Sequence, residues 1–156
     1  MDFIVIAGAE YLIYLLLIAF VYWVYSRGSN RMQVIVVTIV SAIVVFALSR
    51  LFSSLIDNPR PFTEGLTPLF YHVSDNGFPS DHTLVSATIA FIIYVYNKRL
   101  GMLFLAGALT VGLCRVLANV HHLEDILGAV AIAGLSVYAS YALTKKLAAK
   151  HRHPKS

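Results

Sequence analysis

Two histidines, two arginines, a serine and an aspartate stand out from an otherwise apolar chain, and they fall in three short segments. The last segment holds Arg115, His121 and Asp125. An i, i+4 spacing lets Asp125 meet His121 on one helix face. A carboxylate on one imidazole nitrogen fixes the tautomer and makes the other nitrogen a better nucleophile. Arg115 lies off that face in one continuous helix, so the spacing predicts a turn over the polar stretch 119–123, with Arg115 pointing up from the end of the preceding helix. The middle segment, Phe78-Pro79-Ser80-Asp81-His82, reads as a helix start. Free N–H groups there, with the helix dipole, favour an anion. Ser80 adds a hydroxyl donor, and His82 falls in the first turn beside whatever binds. In the first segment, Asn58-Pro59-Arg60-Pro61-Phe62, the prolines hold Arg60 in a stiff, extended stretch. A fixed guanidinium suits bidentate contact with phosphate. Singly, each segment has an ordinary reading: a loop dipeptide, a helix cap, an interfacial histidine pair beside solvated acids. Together they supply a nucleophile, a proton donor and fixed positive charge, the parts of a phosphoryl-transfer site.

The elements that must position these residues are membrane helices. The chain has 156 residues, 58% of them hydrophobic and 13% charged. Soluble domains carry about 25% charged residues, so the composition excludes a disordered chain and argues against an ordinary soluble globule. A single cysteine excludes an internal disulfide, a CxxC pair and a cysteine zinc cage. A spanning helix needs about 20 mostly apolar residues. Runs over 3–25, 32–56, 83–96, 100–120 and 126–143 therefore predict an all-α, integral-membrane helical bundle of about five transmembrane helices. The third run is short and needs residues 80–82 or a thinner bilayer. The first has no basic residues ahead of it and is too long for a signal peptide, so it reads as a retained span. The whole of 1–156 reads as one membrane-embedded domain, with an outer loop at 57–82 and a basic tail at 144–156.

Charge placement gives the orientation. Arg27 and Arg31, Lys98 and Arg99, and the tail residues Lys145, Lys146, Lys150, Arg152 and Lys155 alternate with five spans, which predicts the N-terminus outside and the C-terminus cytoplasmic. The eight acids all fall in the outer half, and Tyr22, Trp23, Tyr25, Tyr94 and Tyr96 lie near inner helix ends. The net charge of +4 is thus a topology signal and an anionic-lipid contact rather than a nucleic-acid patch. All three chemical segments land at the outer face. A polar cluster at one membrane face is a functional site by default.

With these residues in view, the chain resembles the type 2 phosphatidic acid phosphatase superfamily of membrane lipid phosphatases. That family's pattern is an RP segment, a PSGH segment and an SRxxxxxHxxxD segment. Here they stand as Arg60-Pro61, as Pro79-Ser80-Asp81-His82, and as Cys114-Arg115 with His121 and Asp125 at the family spacing. The NPRPF and FPSDHT wording is most similar to the bacterial undecaprenyl-diphosphatase branch. Three positions depart from the pattern: Ser53 stands where many members have a lysine, Asp81 replaces a glycine and Cys114 a serine. The family core also has six helices, one more than is read here. The resemblance implies a phosphatase acting on a lipid phosphate or diphosphate, undecaprenyl diphosphate first, in a bacterial or archaeal plasma membrane. It implies His121 as nucleophile, Asp125 as its orienting carboxylate and His82 as proton donor. Arg60, Arg115, Ser80, Pro79 and Asp81 form the phosphate-binding set. No cofactor and no metal is expected, because the arginines supply the positive charge.

Other readings compete. Phosphatidylglycerophosphate, phosphatidic acid and lipid A phosphate are alternative substrates, and a lipid phosphotransferase would share the intermediate. More remotely, His82, His121, His122, Glu124 and Asp125 could ligate zinc in a transporter. Oligomeric state is not legible; Ala129 with Ala133 and Ala108 with Gly112 are expected to pack helices within the bundle. Finally, Arg50 and Glu10 lie at matching depth in their helices. A structural salt bridge between them is the favoured expectation, and a phosphate contact from Arg50 the other.

Overall fold

In hydrocarbon a chain has no water to satisfy its amides, so long apolar runs close their hydrogen bonds within helices. The computed structural model describes the backbone of residues 1–152 and the side chains of residues 1–150. Five long helices result: α1 (Asp2–Tyr25), α2 (Arg31–Leu55), α3 (Asp81–Tyr96), α4 (Lys98–Leu117) and α5 (Leu123–Arg152). Four are long and apolar enough to cross a membrane, and α3 is the shorter one foreseen. At 16 residues it spans roughly 24 Å at 1.5 Å per residue, less than a hydrocarbon core of about 30 Å. It tolerates this because it is the central helix, buried along most of its length against α4 and α5.

Two features depart from the sequence expectations. The turn between α4 and α5 occupies 118–122, so Leu123 already belongs to α5. The basic segment after residue 143 is no loose tail: α5 continues through it to Arg152. Its Leu, Lys and Ala residues are strong helix formers and need no packing partner to extend the helix. Lys155 and the Arg152 side chain lie outside the described residues. Near its start α1 also carries a π-helical turn, Ala7–Tyr11, which packs on α4.

Packing divides the bundle into two layers. Leu16, Phe20, Trp23, Ile93, Phe104 and Val137 form a bulky cluster far from the site. Beneath the site the core is made of small residues, with Ala87, Ala108, Ala129 and Ala133 around Phe78 and Leu84. Small faces let helices approach closely where lipid offers no hydrophobic drive. The Ala108/Gly112 and Ala129/Ala133 faces therefore pack inside the bundle, as expected; a methyl group on Gly112 would meet Ile126 and Thr83. At the end opposite the site, Arg27 lies over the Trp23 and Tyr96 rings at 5.0 and 5.8 Å, and Lys145 over Tyr141 at 5.9 Å. This is the basic and aromatic girdle expected of one membrane interface.

Candidate active site

Asp125, in the first turn of α5, fixes the centre. Its buried carboxylate accepts from three donors: Asn58 Nδ2 at 2.8 Å on Oδ1, and the His122 backbone N–H at 2.9 Å and His121 Nδ1 at 3.1 Å on Oδ2. An ionised carboxylate only accepts, so His121 Nδ1 carries the proton and Nε2 keeps its lone pair. Nε2 lies 3.0 Å from Arg60 Nη1, a donor, which requires the same tautomer. The expected His121–Asp125 pair is therefore formed.

Arg60 is held on three sides. Its backbone is extended between the two prolines, as the sequence implied. Nη1 also donates to the Val120 carbonyl at 2.9 Å, and Nε to Asp75 Oδ1 at 2.7 Å. Arg115 rises from the last turn of α4, 1% exposed. Nη2 lies 2.7 Å from His72 Nε2, and Nη1 3.4 Å from the Ala9 carbonyl of the π turn. The chain then reverses through Asn119, at φ 58° in the left-handed region that asparagine tolerates. This turn brings Arg115 and His121 to one side.

Ser80 caps α3, but its hydroxyl pairs with Thr83 Oγ1 at 3.1 Å rather than with a backbone amide. The first-turn N–H groups of α3 thus have no side-chain cap. Ser80 N–H donates to the Asp125 carbonyl at 3.3 Å, tying the start of α3 to the start of α5. His82 is half-buried within electrostatic reach of Arg115, His121, His72 and Arg60. Pro79 is buried and Asp81 exposed on either side of Ser80. All three segments therefore converge.

Burial pushes the His121 imidazole below its ordinary pKa. Asp125 opposes that shift, while Arg115 and Arg60 reinforce it. The ring is thus neutral near pH 7, as a nucleophile must be. Burial opposes ionisation of Asp75, yet its bond to Arg60 holds the carboxyl below the usual range.

One expectation needs correction. Arg50 and Glu10 form no ion pair: among the described residues, neither is bonded to the other. Glu10 sits in the π turn packed on α4, within electrostatic reach of Arg115. Arg50 instead lines a cavity with Arg60 and Asp81. The remote zinc alternative finds no cluster of three or more His, Cys, Asp or Glu ligands among the described residues. His122 turns away, its Nε2 3.1 Å from the Pro59 carbonyl and 3.3 Å from Glu64.

Comparison with known proteins places the chain in a family. The PAP2 superfamily pattern matches residues 32–149. This chain belongs to the PAP2 superfamily. The bacitracin transport permease protein BcrC of Bacillus licheniformis is 33% identical over 147 residues, covering 92% of this chain and 72% of that protein. The undecaprenyl-diphosphatase BcrC of Bacillus subtilis is 27% identical, with 85% and 69% covered. Among solved structures, Aquifex aeolicus LpxE superposes with a TM-score of 0.69 at 23% identity, covering 90% of this chain and 85% of that one. The PAP2-type phosphatidylglycerolphosphate phosphatase of Bacillus subtilis gives 0.61 at 22%, with 92% and 74% covered. The protein is thus an integral-membrane phosphatase of the PAP2 superfamily.

Some residues that build this candidate site were not singled out from sequence. Asn58, Asp75 and His72 all contact its central groups. Asn76 pins the loop: Nδ2 donates to the Ser53 and Ile56 carbonyls at 2.8 and 2.7 Å, while Oδ1 accepts from the Asn58 and Phe78 amides. Gly77 lets that loop press on the site, since a Cβ there would lie 3.0 Å from Asp125 Oδ2. The only sequence signal was the polarity of the loop.

Arg60 gives a direct test. One guanidinium meets a carboxylate, a carbonyl and the His121 imidazole in fixed directions. An ammonium is a point donor and cannot reproduce that fork. Arg60→Lys is expected to lower kcat/KM by roughly 10²-fold while Asp75→Asn, on a partly exposed partner, costs about tenfold or less. Steady-state kinetics on folded variants check the order; equal losses would show that Arg60 acts only through Asp75.

Proposed function

We propose that this protein hydrolyses a lipid diphosphate, undecaprenyl diphosphate foremost, through a phosphohistidine on His121 at the outer membrane face. The observation that carries the reading is the state of His121: proton held on Nδ1 by Asp125, lone pair on Nε2 set against Arg60. The substrate class is supported by relatives, one named an undecaprenyl-diphosphatase, and by the lipid-facing bundle. In the first step Nε2 attacks phosphorus as the P–O bond to the leaving group breaks. The bond pair goes to the leaving oxygen, and His82 supplies its proton. In the second step His82 takes a proton from water, which attacks the phosphohistidine and releases phosphate. Arg60, Arg115, Ser80 and the uncapped N–H groups of α3, set between Pro79 and Asp81, hold the phosphoryl oxygens and offset developing charge. The single catalytic unit needs no bound cation for this, since two guanidinium groups do that work.

Purified full-length protein, given undecaprenyl diphosphate, phosphatidylglycerophosphate, phosphatidic acid and lipid A phosphate, is expected to release inorganic phosphate fastest from the diphosphate. Release from none of them sinks the reading, and a phosphorylated lipid acceptor in place of free phosphate makes the protein a phosphotransferase. Sidedness is tested in a Cys114→Ser background. Glu64→Cys is expected to react with a membrane-impermeant thiol reagent in intact cells and Ser29→Cys is not; the reverse pattern inverts the topology.

A further inference from the structure

Among the described residues, Arg50 is the one arginine at this end of the bundle that the chemistry above does not use. It lies on α2 five residues before the helix ends at Leu55, roughly 8 Å below that end at 1.5 Å per residue. Its side chain is exposed, pairs with no carboxylate among the described residues, and meets the Phe46 ring, 5.3 Å from the centroid. Cations at such depth are costly in a bilayer unless they face a cavity or a partner.

Two cavities meet at this arginine. One, of about 250 Å³, is polar and runs beside Arg60, Asp75, Asn76 and Pro79. The other, of about 410 Å³, is apolar and descends between α1, α2 and α3 past Phe20, Val45, Leu84 and Ile89. Ser49, Arg50 and Asp81 line both. Arg60, in the wall of the polar cavity, touches His121. A molecule that meets Arg60 in the polar cavity and lays its chain in the apolar groove therefore passes Arg50.

We infer that Arg50 binds the chain-linked phosphate of a lipid diphosphate whose hydrocarbon chain lies in the apolar groove. This rests on the hydrolase reading above and assigns Arg50 a role in substrate choice. When His121 Nε2 bonds to the terminal phosphorus, the bridging P–O bond breaks and its electron pair stays on the chain-linked phosphate. That leaving group gains charge beside Arg50, where a guanidinium stabilises it. In a lipid monophosphate the attacked phosphorus is itself joined to the chain, so Arg50 faces hydrocarbon and contributes little. Asp81 lines the same junction and repels an anion there, so the loss of Arg50 is felt steeply.

The test uses full-length protein in detergent with farnesyl diphosphate and farnesyl monophosphate, which share one chain. Arg50→Gln is expected to lower the diphosphate-to-monophosphate ratio of kcat/KM at least tenfold, and Arg50→Lys to lower it less. An unchanged ratio overturns the inference, as does an equal loss on both lipids. If Arg50→Gln fails to fold, the same ratio decides in Arg50→Lys, which lowers it, and in Asp81→Asn, which raises it. Calorimetric binding in a His121→Ala background separates this inference from the hydrolase reading. There the diphosphate binds at least tenfold tighter than the monophosphate, and Arg50→Gln removes the preference. A wild type that binds with this preference yet releases no phosphate sinks the hydrolase reading alone. A wild type that releases phosphate but shows no dependence on Arg50 sinks this inference alone.

Discussion

His121→Ala is expected to lower turnover on the order of 10⁴-fold or more while leaving the bundle folded. The chemistry is lost because no other ring is oriented by Asp125: the ring of His72 meets Arg115 at 2.7 Å, that of His122 faces Pro59 and Glu64, and His82 is given the proton transfers in the proposed mechanism. The fold survives because the groups left behind keep partners. Asp125 retains Asn58 and the His122 amide, and Arg60 Nη1 retains the Val120 carbonyl. Phosphate release from any accepted lipid gives the rate, and thermal unfolding confirms the fold. Wild-type protein quenched during turnover should carry an acid-labile phosphoryl group that His121→Ala lacks. His122→Ala is the control: its ring leaves the site, and only its backbone N–H serves Asp125. Near-normal activity in folded His121→Ala protein would falsify the phosphohistidine mechanism.

The residues of this site were legible because they act through short spacings. An i, i+4 spacing brings His121, in the connection just before α5, to Asp125 in the first turn of that helix, and two prolines stiffen the backbone around Arg60. Helix positions were legible from the apolar runs, since hydrocarbon permits little else. The contacts made by the loop were not. Arg60–Asp75, Arg115–His72 and Asn58–Asp125 join segments 15, 43 and 67 residues apart, and nothing local in the chain selects those partners. The Glu10–Arg50 pairing failed for a related reason. Matching depth fixes height in the membrane but not rotation about the helix axis, and the π turn at Ala7–Tyr11 changes the rotation of α1 where Glu10 lies. The extension of α5 was missed because loss of hydrophobicity was read as loss of helix.

Asp125→Asn is expected to cost roughly 10²–10³-fold in kcat, less than the roughly 10⁴-fold loss for Asp125→Ala. The difference follows from which oxygen does what. Oδ2 accepts from both His121 Nδ1 and the His122 amide, while Oδ1 accepts only from Asn58. An asparagine can place its one carbonyl oxygen at the Oδ2 position and keep both of those bonds. Its amide then faces Asn58, whose own side chain turns over to present its oxygen. The tautomer of His121 is preserved and only the negative charge is lost. Alanine leaves all three donors unpaired in a buried site, which removes orientation as well. The pH profile carries the sign. His121 already titrates below its ordinary range through burial, with Arg115 and Arg60 lowering it and Asp125 raising it. Removing the carboxylate charge lowers it further. Activity requires the unprotonated ring, so it is present above this pKa and lost below it. The acidic limb of kcat/KM therefore moves to lower pH in Asp125→Asn, even as the plateau falls. A limb that moves upward, or a loss as deep as that of alanine, would show that the charge on Asp125 does not govern His121 and that the Asn58 amide does not turn.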